Sequence, residues 1–138
     1  CRRVADTVIA LSEQEDDLTI LLVEMPILGP GSTEAARAAL AAAKQGAYWD
    51  FHVAMLKRRG RADRAAALDV AGGLGLDVVQ LEKDMASAEV AAVINENLAR
   101  AQRVGVRGTP AFIVGDAFIP GAVPIENLQA AIAEARGS

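Results

Sequence analysis

Arg107-Gly108-Thr109-Pro110-Ala111-Phe112-Ile113-Val114-Gly115-Asp116-Ala117-Phe118-Ile119-Pro120-Gly121 is the stretch from which the rest of the chain is read. Two short apolar runs, Ala111 to Val114 and Ala117 to Ile119, flank Gly115-Asp116. A two-residue spacer of that type between strand-forming runs specifies a tight antiparallel hairpin. Pro110 stands at the entrance of the first strand, where its missing N–H leaves no ladder neighbour unpaired. The geometry of the Thr109-Pro110 bond stays open at this level, because only about 5–6 % of X-Pro bonds in folded proteins are cis. Taken alone, Gly108-Thr109-Pro110 also reads as an ordinary loop that ends at a strand.

At 138 residues the chain fits one domain of the size that buries roughly 70 % of its unfolded surface. Its 52 % hydrophobic content is mostly alanine, leucine and valine with 4 % aromatic residues, so helices packed closely through small side chains are expected. Net charge is −4, and the 14 basic residues are dispersed apart from Lys57-Arg58-Arg59-Gly60-Arg61. That cluster reads as the solvated C-terminal end of a helix, where cations oppose the dipole, so nucleic acid is excluded as a partner. No apolar run approaches the ~20 residues that cross a bilayer, so membrane insertion is not expected. The one cysteine, Cys1, has no internal disulfide partner and invites either a missing partner or a reactive thiol.

Outward from the hairpin, the chain is mostly helical. Val4, Val8 and Leu11 share a face of a helix from Cys1 to about Gln14, and the acids Glu13, Glu15, Asp16 and Asp17 belong to the turn after it. Leu18-Thr19-Ile20-Leu21-Leu22-Val23 reads as a strand covered on both faces. After Pro26 to Gly31, an alanine-rich helix capped by Ser32 or Thr33 runs to Gly46, and a second carries Tyr48, Phe51 and Met55 and stops near Gly60. A third spans about Asp63 to Ala71. A fourth begins at Asp77 with Gln80 in capping-box position, and a fifth, capped by Ser87, ends at Gly105. Pro124 starts a last helix with Leu128 and Ile132 inward. Helix, strand, helices, hairpin, helix is the order of one α/β layer split by a helical insertion. A helix that feeds a buried strand is the second half of a β-α-β unit, whose first strand belongs before Cys1.

Cys1-Arg2-Arg3-Val4, Glu24-Met25-Pro26-Ile27-Leu28-Gly29, Gly108-Thr109-Pro110-Ala111-Phe112 and Ile119-Pro120-Gly121-Ala122 together resemble the bacterial DsbA-like thiol-disulfide oxidoreductases. The resemblance implies an α/β fold: a thioredoxin-like mixed sheet with an inserted all-helical domain. Residues 1–31 and 106–138 would form the core and residues 32–105 the insertion, with the family's first strand and first active-site cysteine absent. A sheet without its central strand would expose ladder groups, so the 138 residues are expected to be part of a longer protein. By the resemblance Cys1 is the buried, resolving thiol of a Cys-x-x-Cys pair, and Thr109 and Pro110 bind substrate opposite it. A cysteine at a helix N-terminus beside Arg2 and Arg3 is also placed for a thiolate, and such thiols have pKa values of about 3.5 to 7.5. From its position alone, Cys1 reads first as a small buried hydrophobe, and it is the hairpin and the element order that turn the reading to redox chemistry.

Glu24 is read in two ways, as a partly buried carboxylate that relays protons to the thiol or as a strand-end acid facing water. His52 is assigned a packing or surface role, since no second histidine or cysteine stands at zinc-ligand spacing. Tyr48, Trp49, Phe51 and Phe118 are assigned to core or groove lining. The resemblance implies exchange of disulfides with cysteine-containing proteins or peptides and with a redox partner protein. It also implies no cofactor beyond the thiols, no metal, and a periplasmic or other extracytoplasmic site of action. The other readings are a redox-inactive peptide-binding or chaperone module and a glutathione-dependent relative with serine in place of the first cysteine.

Overall fold

The computed structural model describes residues 1–137. A 3-10 turn, Arg2–Val4, leads into α1 (Ala5–Gln14), followed by α2 (Pro30–Lys44), α3 (Tyr48–Lys57), α4 (Arg64–Gly73), α5 (Val78–Met85) and α6 (Ala88–Val104). Strands β1 (Ala111–Val114) and β2 (Ala117–Pro120) and helix α7 (Ile125–Gly137) complete the order. Two compact units result: residues 1–22 with 104–138, and residues 23–103.

In the first unit, the hairpin takes the register its turn dictates, with Ala111 opposite Pro120 and Val114 opposite Ala117. Gly115 opens the turn at φ +59°, a left-handed conformation that glycine adopts without a Cβ penalty. An added Cβ there would also lie 3.1 Å from the Ala135 methyl on α7. Period-two alternation turns Phe112, Val114 and Ile119 towards a core of Leu11, Leu128 and Ile132. Helix α7 packs on both α1 and β1. Leu128 is 1 % exposed. The acids after α1, unfavourable at a helix C-terminus, are met by Arg136: its guanidinium reaches Glu15 at 3.0 Å and Asp17 at 2.6 Å.

Leu18 to Val23 does not form the expected strand. Leu18 and Ile20 pack into the first unit's core, but Leu21 is 83 % and Val23 63 % exposed, so this segment is covered on alternate residues and not on both faces. A strand exists by its ladder, and among the described residues the only sheet is the two-stranded antiparallel pair β1–β2.

In the second unit, α2 buries Ala38, Ala39, Ala41 and Ala42 against Phe51, Ala67, Ala71, Leu81 and Met85. Small side chains let these helices approach closely, which is why so few aromatic residues suffice. A second cluster joins Ala36 to Val90 and Ile94 of α6. Three helix starts carry a side-chain cap: Asp63 accepts from Ala66 N–H, Asp77 from Gln80 N–H and Ser87 from Val90 N–H. Two starts differ from expectation. Helix α2 begins at Pro30, not beyond Ser32 or Thr33, because Gly29 at φ +97° turns the chain and Pro30 presets the first helical φ. At α5 the Gln80 side chain does not return to Asp77; it bonds Asp84. Gln45, at the end of α2, takes both backbone groups of Asp77 instead, accepting from its N–H at 2.9 Å and donating to its carbonyl at 3.0 Å.

Candidate functional site

Cys1 precedes the turn that winds into α1, and its carbonyl accepts from Val4 N–H at 3.1 Å. Its side chain is exposed, contrary to the expected buried thiol. Burial begins only at Val4 and Ala5, while Arg2 and Arg3 are exposed beside it. Cys1 thus stands just ahead of the first helical turn, followed in sequence by the exposed Arg2 and Arg3.

The Thr109-Pro110 peptide bond is cis. Thr109 is exposed, Pro110 is partly covered, and the Pro110 carbonyl accepts from Gly121 N–H at 2.9 Å, closing the base of the hairpin. Gly121 sits at φ +86°, which lets the chain turn away after β2. Cys1 and Thr109-Pro110 belong to the same compact unit. The Leu11–Leu128–Ile132 core joins the helix that follows the cysteine to the strands that follow the proline. Ile113 and Phe118, opposite each other in the register, form an exposed apolar pair on the other face of the hairpin.

In the helical unit, Glu24 is not a water-facing acid. Its carboxylate accepts a hydrogen bond from the Tyr48 hydroxyl, and its carbonyl accepts from Asn97 Nδ2 at 3.1 Å. Burial pushes the Glu24 pKa up and the Tyr48 hydrogen bond partly opposes that shift. Tyr48 is itself pushed well above the ordinary phenol range by burial, by the Glu24 charge and by their shared hydrogen bond. His52 has the packing role expected of it: its ring stacks near Tyr48 and Trp49, at centroid distances of 6.0 and 6.2 Å, and burial lowers its pKa. Phe51 is core, whereas Trp49 remains 37 % exposed. No group of acids, histidine and cysteine able to hold a metal ion occurs among the described residues. Sequence reasoning missed Asn97 and Gln45, since a side-chain amide bonded to a distant backbone leaves no mark in spacing or hydropathy.

A family model of the DSBA-like thioredoxin domain matches residues 6–133. The crystal structure of a thioredoxin-like oxidoreductase from Silicibacter pomeroyi superposes with a TM-score of 0.94 at 41 % identity, over 100 % of this chain and 82 % of that one. A periplasmic thioredoxin-like protein from Salmonella enterica serovar Typhimurium gives 0.89 at 28 % identity, over 100 % and 78 %. The thiol-disulfide exchange protein alpha-DsbA2 from Wolbachia pipientis gives 0.89 at 27 %, over 97 % and 74 %. The expected architecture, a thioredoxin-like fold with inserted helices, is therefore the fold of this chain. Among curated proteins, the chain is 36 % identical over 106 residues to a Na(+)/H(+) antiporter NhaA 1 of Salinispora arenicola, covering 77 % of this chain. It is 31 % identical over 121 residues to an antiporter NhaA of Herminiimonas arsenicoxydans, covering 88 %. It spans only 16 % and 19 % of the length of those two relatives. No described helix is long and apolar enough to cross a membrane.

Proposed function

The chain belongs to the DSBA-like thioredoxin domain family, and from that premise we propose that it exchanges disulfides with cysteine-containing proteins, with Cys1 as the resolving thiol. The likeness that carries this reading is the one to the thioredoxin-like oxidoreductase of Silicibacter pomeroyi, which extends over the whole chain. In the reducing direction, the Cys1 thiolate attacks the sulfur of a first cysteine held in a mixed disulfide with substrate. A Cys1 disulfide forms, the mixed disulfide breaks, and the substrate leaves as thiolate. In the oxidising direction, a substrate thiolate attacks that first sulfur and Cys1 leaves as thiolate, which the helix end and Arg2 and Arg3 stabilise. The Thr109 backbone pairs with the extended substrate peptide, as in strand addition. Chemistry of this kind belongs in an oxidising compartment, and the likeness to a periplasmic protein supports the periplasm.

Insulin reduction and oxidation of reduced ribonuclease by the native protein test the reading. Cys1→Ser is expected to lose both activities. Equal turnover in that variant would overturn the assignment.

A further inference from the structure

Lys57, Arg58, Arg59 and Arg61 cap the end of α3 and fill the loop that leads to α4. Every residue from 57 to 62 is exposed. In a chain of net charge −4, the segment between Asp50 and Asp63 contains no acid at all. The Asp63 carboxylate caps α4, accepting from the N–H of Ala66 at 2.9 Å. Of the four cations, Arg58 is paired with Asp69, whereas Lys57, Arg59 and Arg61 have no acidic partner among the described residues.

We propose that this loop is a docking surface for an anionic lipid bilayer. A segment in which every residue from 57 to 62 is exposed can lay several cations on a planar, charge-dense surface at once. Three unpaired cations and no aromatic side chain in the loop are too few contacts for useful nucleic-acid affinity at physiological salt. Against a surface of anionic headgroups, each basic side chain raises partitioning about fivefold, and the attraction decays within a Debye length. The loop also carries no large apolar residue to insert. Its attachment is therefore electrostatic and reversible by salt.

Co-sedimentation of the full chain with phosphatidylglycerol–phosphatidylcholine vesicles, compared with pure phosphatidylcholine vesicles, tests the proposal. Binding is expected only to the anionic vesicles, and high salt should release it. Arg59→Gln and Arg61→Gln should each lower the partition coefficient roughly fivefold, and the triple variant with Lys57→Gln roughly a hundredfold. Lys83→Gln, an exposed cation on α5, should change it little. Equal binding to neutral vesicles, an unchanged triple variant, or a loss in Lys83→Gln as large as in Arg59→Gln would each overturn it.

Discussion

Tyr48→Phe should destabilise the helical unit in a manner that depends on pH. The substitution removes one oxygen atom and keeps the ring, so its effect is confined to the hydrogen bond that Tyr48 donates to the Glu24 carboxylate. A hydrogen bond to a charged group contributes about 1.5–3 kcal/mol, and its loss leaves a partly buried carboxylate short of a donor. Burial already raises the Glu24 pKa above its ordinary 4.5, so the folded protein holds that proton more tightly than the unfolded chain does. The contribution of Glu24 to stability is thus fully present below the unfolded value and is lost as pH rises through the raised folded value. Without the phenol, the folded value climbs further, and the loss on raising pH grows. Urea denaturation followed by the fluorescence of Trp49, the single tryptophan, reads this unit directly. At pH 7.5, the midpoint of Tyr48→Phe should fall by about 1 M for a urea dependence of roughly 1–3 kcal/mol per M. At pH 4, where Glu24 is protonated, the deficit should shrink to less than half. A deficit equal at both pH values, or larger at pH 4, would refute the account of this pair.

Leu128→Ala should cost about 2–5 kcal/mol, because Leu128 is 1 % exposed in the core shared by α1, α7 and the hairpin. Thermal unfolding by circular dichroism checks it, and a loss below about 1 kcal/mol would show that α7 does not anchor that core. Asp77→Ala should cost about 1 kcal/mol through the lost cap on Gln80 N–H, while Asp77→Asn should stay near wild type. Urea midpoints of the two variants distinguish the cap from a general charge effect.

Much of this structure was legible because it is local. The hairpin turn needs only Gly115-Asp116 between two apolar runs, and the caps at Asp77 and Ser87 need only a side-chain oxygen a few residues before the N–H it serves. What depends on distant partners was not legible. Leu18 to Val23 has the composition of a buried strand, but strand character is conferred by a neighbouring backbone that a hydropathy pattern does not contain. The two readings of Glu24, partly buried or facing water, are separated only when folding delivers Tyr48 and Asn97 to its two ends. The exposure of Cys1 was missed for a related reason, since burial is a property of what covers a side chain. Arg136, near the far end of the chain, likewise resolves the crowding of acids after α1.

The alanine-lined interior of the helical unit sets how that unit is able to change. Ala38, Ala41, Ala42, Ala67 and Ala71 are wholly enclosed, so the spacing between α2 and its neighbours is set by small side chains. A larger residue there overpacks the cluster, at a cost of about 1–3 kcal/mol. Substitution is consequently cheapest in the connecting loops and at the solvent-facing positions, where no enclosed volume has to be conserved.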